Sequence, residues 1–276
     1  MTTQFNKIRS AISTVLLLST LCLISQTDRP NIILIVVDDM RHDEWGGGGH
    51  TYLETPNIDQ LAQEGTVFNR AYHAVPLCSP NRASILTGQY PSRHGILDNT
   101  SRNQASHMLD LFPKYLQQEG YKTAHVGKWH MGNSSEPRPR YDYWVCMEGQ
   151  GKTNNPVLYQ DGKSQEIEGY ITDIFTQKCN EFIKQSVDEP FFLYLGHKAI
   201  HPEAVQRDDG SIDLSVPKEF IPANRHQGTY AQEVYKRRPS YSRSATADED
   251  KPIIQRAFDI RAATMAKDSL WLAAMT

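Results

Sequence analysis

The stretch "NIILIVVDD" at residues 31–39 decides the fold class of this chain. Its apolar, largely β-branched part is continuous and lies between Pro30 and Asp38. Such a run predicts a strand that is buried on both faces, as in a parallel sheet. Two further stretches, "YKTAHVG" at 121–127 and "PFFLYLG" at 190–196, predict strands of the same sheet.

Helical patterns alternate with these strands. "TPNIDQLAQEG" at 55–65 has Thr55 as the N-cap, proline at the first helical position and glycine as the stop. "SPNRASILTG" at 79–88 repeats this pattern, with Ser79 or Cys78 as the cap, and "YITDIFTQKCNEFIKQ" at 170–185 is strongly amphipathic. The alternation predicts an α/β fold whose mostly parallel central sheet is flanked by helices.

Composition excludes some classes of function. The chain has 276 residues, of which 39% are hydrophobic and 22% charged, as in ordinary globular proteins. A net charge of -3 and the lack of a basic tract argue against nucleic-acid binding.

The N-terminus has the pattern of an export signal. Lys7 and Arg9 precede the apolar run "AISTVLLLSTLCLIS". We interpret residues 1–25 as a secretory signal peptide, with an uncleaved anchor as the alternative. Export to the periplasm or the extracellular space is expected, without stable membrane association once the signal is removed.

The cysteine count leaves at least one free thiol. Export permits disulfides, and Cys78, Cys146 and Cys179 remain once Cys22 is assigned to the signal. Cys146 and Cys179 either pair or are separate small buried residues, and Cys78 is the odd one out.

Candidate site residues follow the predicted strands, where ligands bind in such sheets. Adjacent Asp38 and Asp39 offer the hard oxygens that Ca²⁺ or Mg²⁺ prefers, although a partner such as Arg41 or plain exposure also explains them. Cys78 lies at a predicted helix N-terminus, which would bind an oxyanion or lower the pKa of the thiol. Arg82, one turn later, is a forked donor for oxyanions. A plain thiolate nucleophile is the alternative.

Two basic motifs are expected at the same edge. In "GKWHMG", Lys128 and His130 are two residues apart, so an extended segment would place them on one side. "HKAIHP" adds His197, Lys198 and His201, whose spacing matches neither a zinc finger nor the HExxH helix. Together these residues predict an oxyanion pocket with a hard metal ion.

Four blocks carry a family resemblance. "CSPNRAS" followed by Thr-Gly matches the signature C-x-P-x-R, and "NIILIVVDD", "GKWHMG" and "HKAIHP" follow in the corresponding order. Between residues 31 and 202 the chain resembles the type I, formylglycine-dependent sulfatases of the alkaline phosphatase superfamily. The resemblance implies hydrolysis of sulfate esters, with a sulfated carbohydrate as the expected substrate.

The resemblance also implies how Cys78 is used. A formylglycine-generating maturation enzyme would read C-x-P-x-R and oxidise Cys78 to formylglycine, whose hydrated aldehyde supplies the nucleophile. Asp38, Asp39 and the modified Cys78 would ligate Ca²⁺, with Mg²⁺ as an alternative. Arg82 would hold the diol and the metal.

Three further roles are carried over in the same way. The resemblance implies that Lys128 binds the sulfate oxygens and that His130 holds the second hydroxyl of the diol. His201 would contact the sulfate and assist protonation of the leaving group.

The chain departs from the family after Pro202. Sulfatases carry further metal ligands on a later apolar strand, followed by a smaller domain, and neither is recognisable here. Residues 26–276 are therefore expected to be the N-terminal part of the catalytic domain, with a sheet incomplete at its C-terminal side. A phosphonate or phosphate monoester hydrolase and an inactive remnant that only binds sulfated ligands are the alternatives. Residues 41–54, 133–165 and 203–250 are expected to form specificity loops.

Overall fold

The computed structural model describes residues 29–234, which build one six-stranded sheet with helices on both faces. The strands are β1 (Ile32–Val36), β2 (Lys122–Lys128), β3 (Tyr143–Met147), β4 (Val157–Gln160), β5 (Lys163–Glu166) and β6 (Phe191–Gly196). The α-helices are α1 (Pro56–Glu64), α2 (Cys78–Thr87), α3 (Pro91–His94), α4 (Asn103–His107), α5 (Pro113–Gln118) and α6 (Ile171–Gln185). Short 3-10 helices lie at Gly46–Gly48 and Asn224–His226.

The strand order is β1-β6-β2-β3-β4-β5. The pairs β1–β6, β6–β2 and β2–β3 are parallel, whereas β3–β4 and β4–β5 are antiparallel. The predicted α/β class with a mostly parallel sheet is confirmed. The carboxyl ends of β1, β6 and β2 lie side by side, which brings the segments that follow them together.

The antiparallel strands β4 and β5 correct one expectation, because residues 133–165 were interpreted as a loop. They contain β3 and this hairpin instead. The hairpin turns at Asp161 and Gly162, both of which have positive φ angles, 52° and 78°. That backbone is the type I′ turn that Asp-Gly favours.

Strand β1 is not buried on both faces, as its sequence predicted. Ile33 and Ile35 remain 50% and 52% exposed. The reason is position: β1 is the edge strand, and within residues 29–234 helix α6 packs on β2 and β6 rather than on β1.

Two apolar clusters cover the two faces of the sheet. The first contains Phe175 and Phe182 of α6 against β2 and β6, and the second contains Ala83 and Leu86 of α2. Cys179 belongs to the first cluster and Cys146 to the second, and both thiols are free. The sheet therefore separates these cysteines, which are small buried residues. Burial raises the pKa of each thiol to about 12.

Some sequence interpretations lie outside the described residues. These are the signal peptide at 1–25 and the part of the expected specificity loop 203–250 that follows residue 234. Between residues 29 and 234, no helix has the length and apolar character needed to span a membrane.

Candidate active site

The site begins where β1, β2 and β6 end. Asp38 follows β1, Lys128 is the last residue of β2, and the segment 197–201 follows β6. Two backbone hydrogen bonds join the first and third of these segments: Asp38 N–H donates to Ala199 O (2.8 Å) and Ile200 N–H donates to Asp38 O (2.7 Å). The segments that follow β1 and β6 are therefore hydrogen-bonded to each other at the sheet edge where the sequence predicted the site.

Helix α2 brings its N-terminus to this edge. Cys78 is its first residue and Leu77 is the N-cap, so neither Cys78 nor Ser79 caps it as expected. Ser79 instead donates its hydroxyl to the carbonyl of His130 and its backbone N–H to Asn99 Oδ1 (3.1 Å). The helix ends as predicted at Gly88, whose φ of 67° is left-handed.

Arg82 connects the helix to two strand ends. Its side chain is 2% exposed, and Nη2 lies 3.3 Å from Asp38 Oδ1. Nη1 donates to the carbonyl of Lys128 (2.8 Å) and to the hydroxyl of Tyr194 (3.2 Å). Every one of these contacts fixes the guanidinium relative to the sheet edge.

Gly196 makes room for this arrangement. A Cβ at this position would lie 2.4 Å from the carbonyl oxygen of Lys128 and 3.0 Å from Arg82 Nη1. No side chain fits there without displacing the strand end or the guanidinium. The glycine at the end of "FFLYLG" is therefore part of how the site is built.

Asp38 is a buried carboxylate held between two cations. Lys128 Nζ contacts Oδ2, on the side opposite Arg82. Burial alone would raise the pKa of Asp38, but the charges of Lys128 and Arg82 outweigh it and hold the pKa well below its usual range. Asp38 is therefore ionised at neutral pH, and its charge permits two buried cations at one place.

The environment of Cys78 differs from the one expected at a helix N-terminus. Burial raises the pKa of the thiol, and the neighbouring Asp38 raises it further, while Lys128 and Arg82 act in the opposite direction. The expectation of a lowered thiol pKa was therefore wrong, because desolvation, with the charges of Asp38 and Asp39, outweighs the two cations. A plain thiolate nucleophile is disfavoured at this position.

Three side chains could hold a metal ion together. One ligand atom each of Asp38, Cys78 and His201 lies within 4.8 Å of the others. Asp39, which was also expected as a ligand, is outside this group. Its carboxylate is 55% exposed, and its Oδ2 lies 3.7 Å from His201 Nε2. Burial and the Asp38 charge raise the pKa of Asp39.

The donor set matches a hard cation only in part. Ca²⁺ takes roughly six to eight oxygen ligands. The two carboxylates are suitable oxygens, and an oxygen in place of the sulfur of Cys78 would add another. Since Asp38 already contacts Arg82 and Lys128, the described residues supply part of a calcium shell rather than a complete one.

His201 is oriented by its own backbone neighbourhood. Its Nδ1 lies 2.7 Å from the carbonyl of Pro202, so Nδ1–H donates and Nε2 faces the site. Burial, with the charge of Lys128, lowers the pKa of His201 to about 4. The ring is thus neutral at pH 7 in this structure and is an acceptor at Nε2 rather than an acid.

His130 reaches the site by a different backbone path from the one expected. Strand β2 ends at Lys128, and His130 has a φ of 54°, so simple alternation along a strand does not place it. Burial, with the charge of Lys128, lowers the pKa of His130 well below its usual value. Gln150 and Gln206, which the sequence interpretation missed, contact Lys128 and His130.

A cavity of about 450 Å³ opens beside the charged cluster. Lys198 and His201 line it, and Tyr170, Phe220 and Tyr230 are among its aromatic lining residues. Lys198 is 2% exposed and donates to the carbonyl of Pro202 (3.2 Å). Burial lowers the pKa of this lysine to about 8. The cavity therefore has both basic and aromatic residues in its lining.

Two buried cations, Arg82 and Lys128, lie with the first turn of α2 at the carboxyl edge of the sheet, an arrangement that could bind an anionic group. The family model described as Sulfatase matches residues 30–248. The chain therefore belongs to the sulfatase family, as its motifs indicated.

Relatives of established identity agree with this assignment. N-acetylglucosamine-6-O-sulfatase of Bacteroides thetaiotaomicron is 35% identical over 214 residues, covering 76% of this chain and 35% of the relative. N-acetylgalactosamine-6-sulfatase of Homo sapiens is 34% identical over 207 residues, covering 62% of this chain and 40% of the relative. The chain thus spans less than half the length of these relatives.

A solved structure matches the fold. This structure is of a protein in complex with its substrate D-glucosamine-2-N,6-O-disulfate. It superposes on the present chain with a TM-score of 0.66, and the two sequences are 32% identical. The match covers 77% of this chain and 40% of the other. The described sheet and helices are therefore those of a sulfatase.

Proposed function

We propose that this chain carries the site of a sulfate-ester hydrolase, built at Cys78, Arg82 and Lys128. One observation carries the proposal: two buried cations and the first turn of α2 converge on the position of Cys78 at the carboxyl edge of the sheet. A sulfate group carries its charge on several oxygens, and preorganised cations and N–H groups stabilise such charge as it develops.

Each cation has a separate part in this proposal. Lys128 is a compact donor for a sulfate oxygen, whereas the guanidinium of Arg82 is fixed by Asp38 and orients the group at position 78. His201 would contact the sulfate and assist protonation of the leaving group, which requires a proton on Nε2 because Nδ1–H already donates to Pro202. His130 would hold the second hydroxyl of the group at position 78 and take its proton.

We propose that Cys78 is converted to formylglycine and that Asp38, Asp39 and the converted residue hold Ca²⁺, or Mg²⁺. The hydrated aldehyde would supply a hydroxyl nucleophile, and the metal ion would supply charge neutralisation. The family signature at residues 78–82 and the oxygen donors beside it support this part. The partner for the conversion is a maturation enzyme that reads this signature.

The substrate class follows from the relatives and from the cavity. The relatives act on 6-sulfated N-acetylhexosamines, by their names, and the matching structure holds a sulfated glucosamine. The cavity is lined by Tyr170, Phe220 and Tyr230, which suit stacking on a sugar ring, and also by Lys198. We therefore propose a 6-O-sulfated amino sugar of a glycan as the substrate.

Export is proposed on the pattern of residues 1–25 alone, with the periplasm or the extracellular space as the destination. Detection of the protein in a periplasmic or culture fraction, with its first 25 residues missing, would test this part.

The experiment that tests the function measures sulfate release. The full chain is co-produced with a formylglycine-generating enzyme and incubated with N-acetylglucosamine-6-sulfate, and in parallel with an aryl phosphonate monoester. We expect the wild-type chain to release sulfate and the Cys78→Ala variant to release none. The control variant Cys146→Ala, which changes a buried thiol outside the charged cluster, should still release sulfate. Preference for the phosphonate would establish the alternative hydrolase, and sugar binding without release would indicate a remnant that only binds.

A further inference from the structure

A line of hydrogen bonds joins Lys128 to His130 through two glutamines. Lys128 Nζ donates to Gln150 Oε1 (2.5 Å), and Gln150 Nε2 donates to Gln206 Oε1 (2.7 Å). The same Oε1 of Gln206 lies 2.6 Å from His130 Nε2. Gln150 and Gln206 come from separate loops, so the line connects parts of the chain that are distant in sequence.

The direction of each hydrogen bond follows from its ends. An ammonium group only donates, so the oxygen of Gln150 faces Lys128 and its amide nitrogen faces Gln206. Gln206 Nε2 donates to two backbone carbonyls, Gly210 O (3.0 Å) and Asn99 O (3.3 Å). The hydrogen bond from Gln150 and the two backbone carbonyls thus require the same orientation of the Gln206 amide, with Oε1 towards His130.

We propose that Gln206 is a positioning residue that holds His130 as the Nε2–H tautomer. An amide oxygen only accepts, so His130 Nε2 must carry the proton in the 2.6 Å hydrogen bond. In the neutral ring the lone pair is then on Nδ1. Nδ1 is buried and has no hydrogen-bond partner among residues 29–234, so the acceptor is free for a ligand.

This tautomer decides whether His130 can accept a proton in the reaction. The proton transfer described here rests on the proposed function. A hydroxyl at position 78 would give its proton to Nδ1: the O–H bond breaks, the Nδ1–H bond forms, and the oxygen keeps the electron pair. The opposite tautomer would present a donor in place of an acceptor. The hydrogen bond from Nε2–H to Gln206 remains in both protonation states of Nδ1, because an imidazolium also donates there.

Gln150 has the supporting role in this network. Its Oε1 accepts a hydrogen bond from Lys128, which also contacts Asp38, and its Nε2 donates to Gln206. Gln150 therefore links the position of Lys128 to the orientation of the Gln206 amide. The position of the sulfate-binding lysine and the tautomer of the histidine are therefore set by one chain of hydrogen bonds. A similar arrangement in which one residue fixes the tautomer of a histidine is common where imidazole accepts a proton.

Nitrogen NMR of the full chain tests the tautomer without requiring activity. The protein is labelled with ¹⁵N-histidine, and long-range ¹H–¹⁵N spectra distinguish a protonated Nε2 from a protonated Nδ1. His130→Asn assigns the resonances. We expect the wild-type ring to carry its proton on Nε2, with that proton shielded from solvent exchange.

Substitutions separate positioning from general structure. Gln206→Met removes the acceptor of the hydrogen bond from His130 Nε2. We expect exchange of the Nε2 proton to accelerate by about threefold to tenfold, because that is the effect of losing one hydrogen bond. Gln206→Glu keeps an acceptor oxygen and is expected to retain the slow exchange. Gln165→Met, at an exposed position of β5, is the matched control and should change nothing.

Two results would overturn the inference. One is a wild-type His130 protonated on Nδ1, which no failure of a variant to fold can produce. The other is a folded Gln206→Met variant whose Nε2 proton exchanges at the wild-type rate. If the chain releases no sulfate but the wild-type tautomer and its dependence on Gln206 are as expected, the proposed function fails while this inference stands.

Discussion

Arg82 Nη2 and Asp38 Oδ1 lie 3.3 Å apart, and their side chains are only 2% and 6% exposed. This ion pair joins the first turns of α2 to the end of β1, and Lys128 contacts the other oxygen of the same carboxylate. Removal of the shared carboxylate would leave two buried cations without compensation. The charges of the proposed sulfate site are therefore also part of what holds the fold together.

The first prediction concerns this carboxylate. Asp38→Asn should lower the free energy of unfolding by about 3–5 kcal/mol, the usual cost of leaving a buried charge unpaired. Urea denaturation at pH 7 measures it. The control is Asp173→Asn, which breaks an exposed pair with Arg225 and should have little effect. Equal effects of the two substitutions would show that the Asp38 cluster does not stabilise the fold.

The second prediction concerns the pH dependence of stability. Burial lowers the pKa of His125 to about 3 from an ordinary value of 6.5. The unfolded chain therefore binds a proton between these values that the folded chain does not, and stability should fall as the pH drops below about 6.5. The full shift corresponds to about 5 kcal/mol.

His125→Phe keeps an aromatic ring among Trp129, Trp144 and Tyr194 and removes the titration. Denaturation at pH 7 and pH 4 should show a smaller loss of stability on acidification than in the wild type. His42→Phe, at a side chain that is 88% exposed, is the control and should retain the wild-type loss. An unchanged loss in His125→Phe would assign the acid sensitivity to other groups.

The third prediction concerns metal binding. Ca²⁺ should raise the thermal midpoint only at high concentration, on the order of millimolar, because affinity follows the number and charge of the ligands. Asp39→Asn should remove this effect, and the control Asp188→Asn, at an exposed position between α6 and β6, should not. Saturation at micromolar Ca²⁺ would mean that other parts of the chain complete the shell.

The fourth prediction concerns the space at Gly196. Gly196→Ala should lower the free energy of unfolding by about 1–3 kcal/mol, because the new Cβ meets the Lys128 carbonyl and Arg82. Gly162→Ala is the comparison: its φ of 78° strains an alanine, but no atom lies within 4 Å. Only Gly196→Ala should also reduce sulfate release. If both variants lose stability but keep equal activity, the close approach at Gly196 does not position Arg82.

The sequence predicted those features that depend on local pattern. The strands at 121–127 and 190–196, the helix ending at Gly88 and the shared edge of Asp38 and Lys128 follow from periodicity and parallel topology. The exposed face of β1 was missed because a continuous apolar run does not reveal whether a strand lies at the edge. The Asp161–Gly162 turn was a usable signal that the interpretation of residues 133–165 as a loop overlooked.

The details of the site depend on contacts between distant segments. The pKa of the Cys78 thiol rises because burial outweighs the charges of Lys128 and Arg82, and burial is not visible in a local motif. Gln150 and Gln206 carry no recognisable pattern, since their roles arise only when two loops meet beside His130. The residue types at the site were thus predictable, whereas their protonation and support were not.

The most direct test is the amount of sulfate released from N-acetylglucosamine-6-sulfate per molecule of converted Cys78. Mass spectrometry of the tryptic peptide spanning residues 71–82 gives the converted fraction in each sample. The proposed site predicts that release rises in proportion to this fraction and is absent from unconverted protein. No release from fully converted protein, or release that does not depend on conversion, would contradict a sulfatase site at Cys78 in this chain.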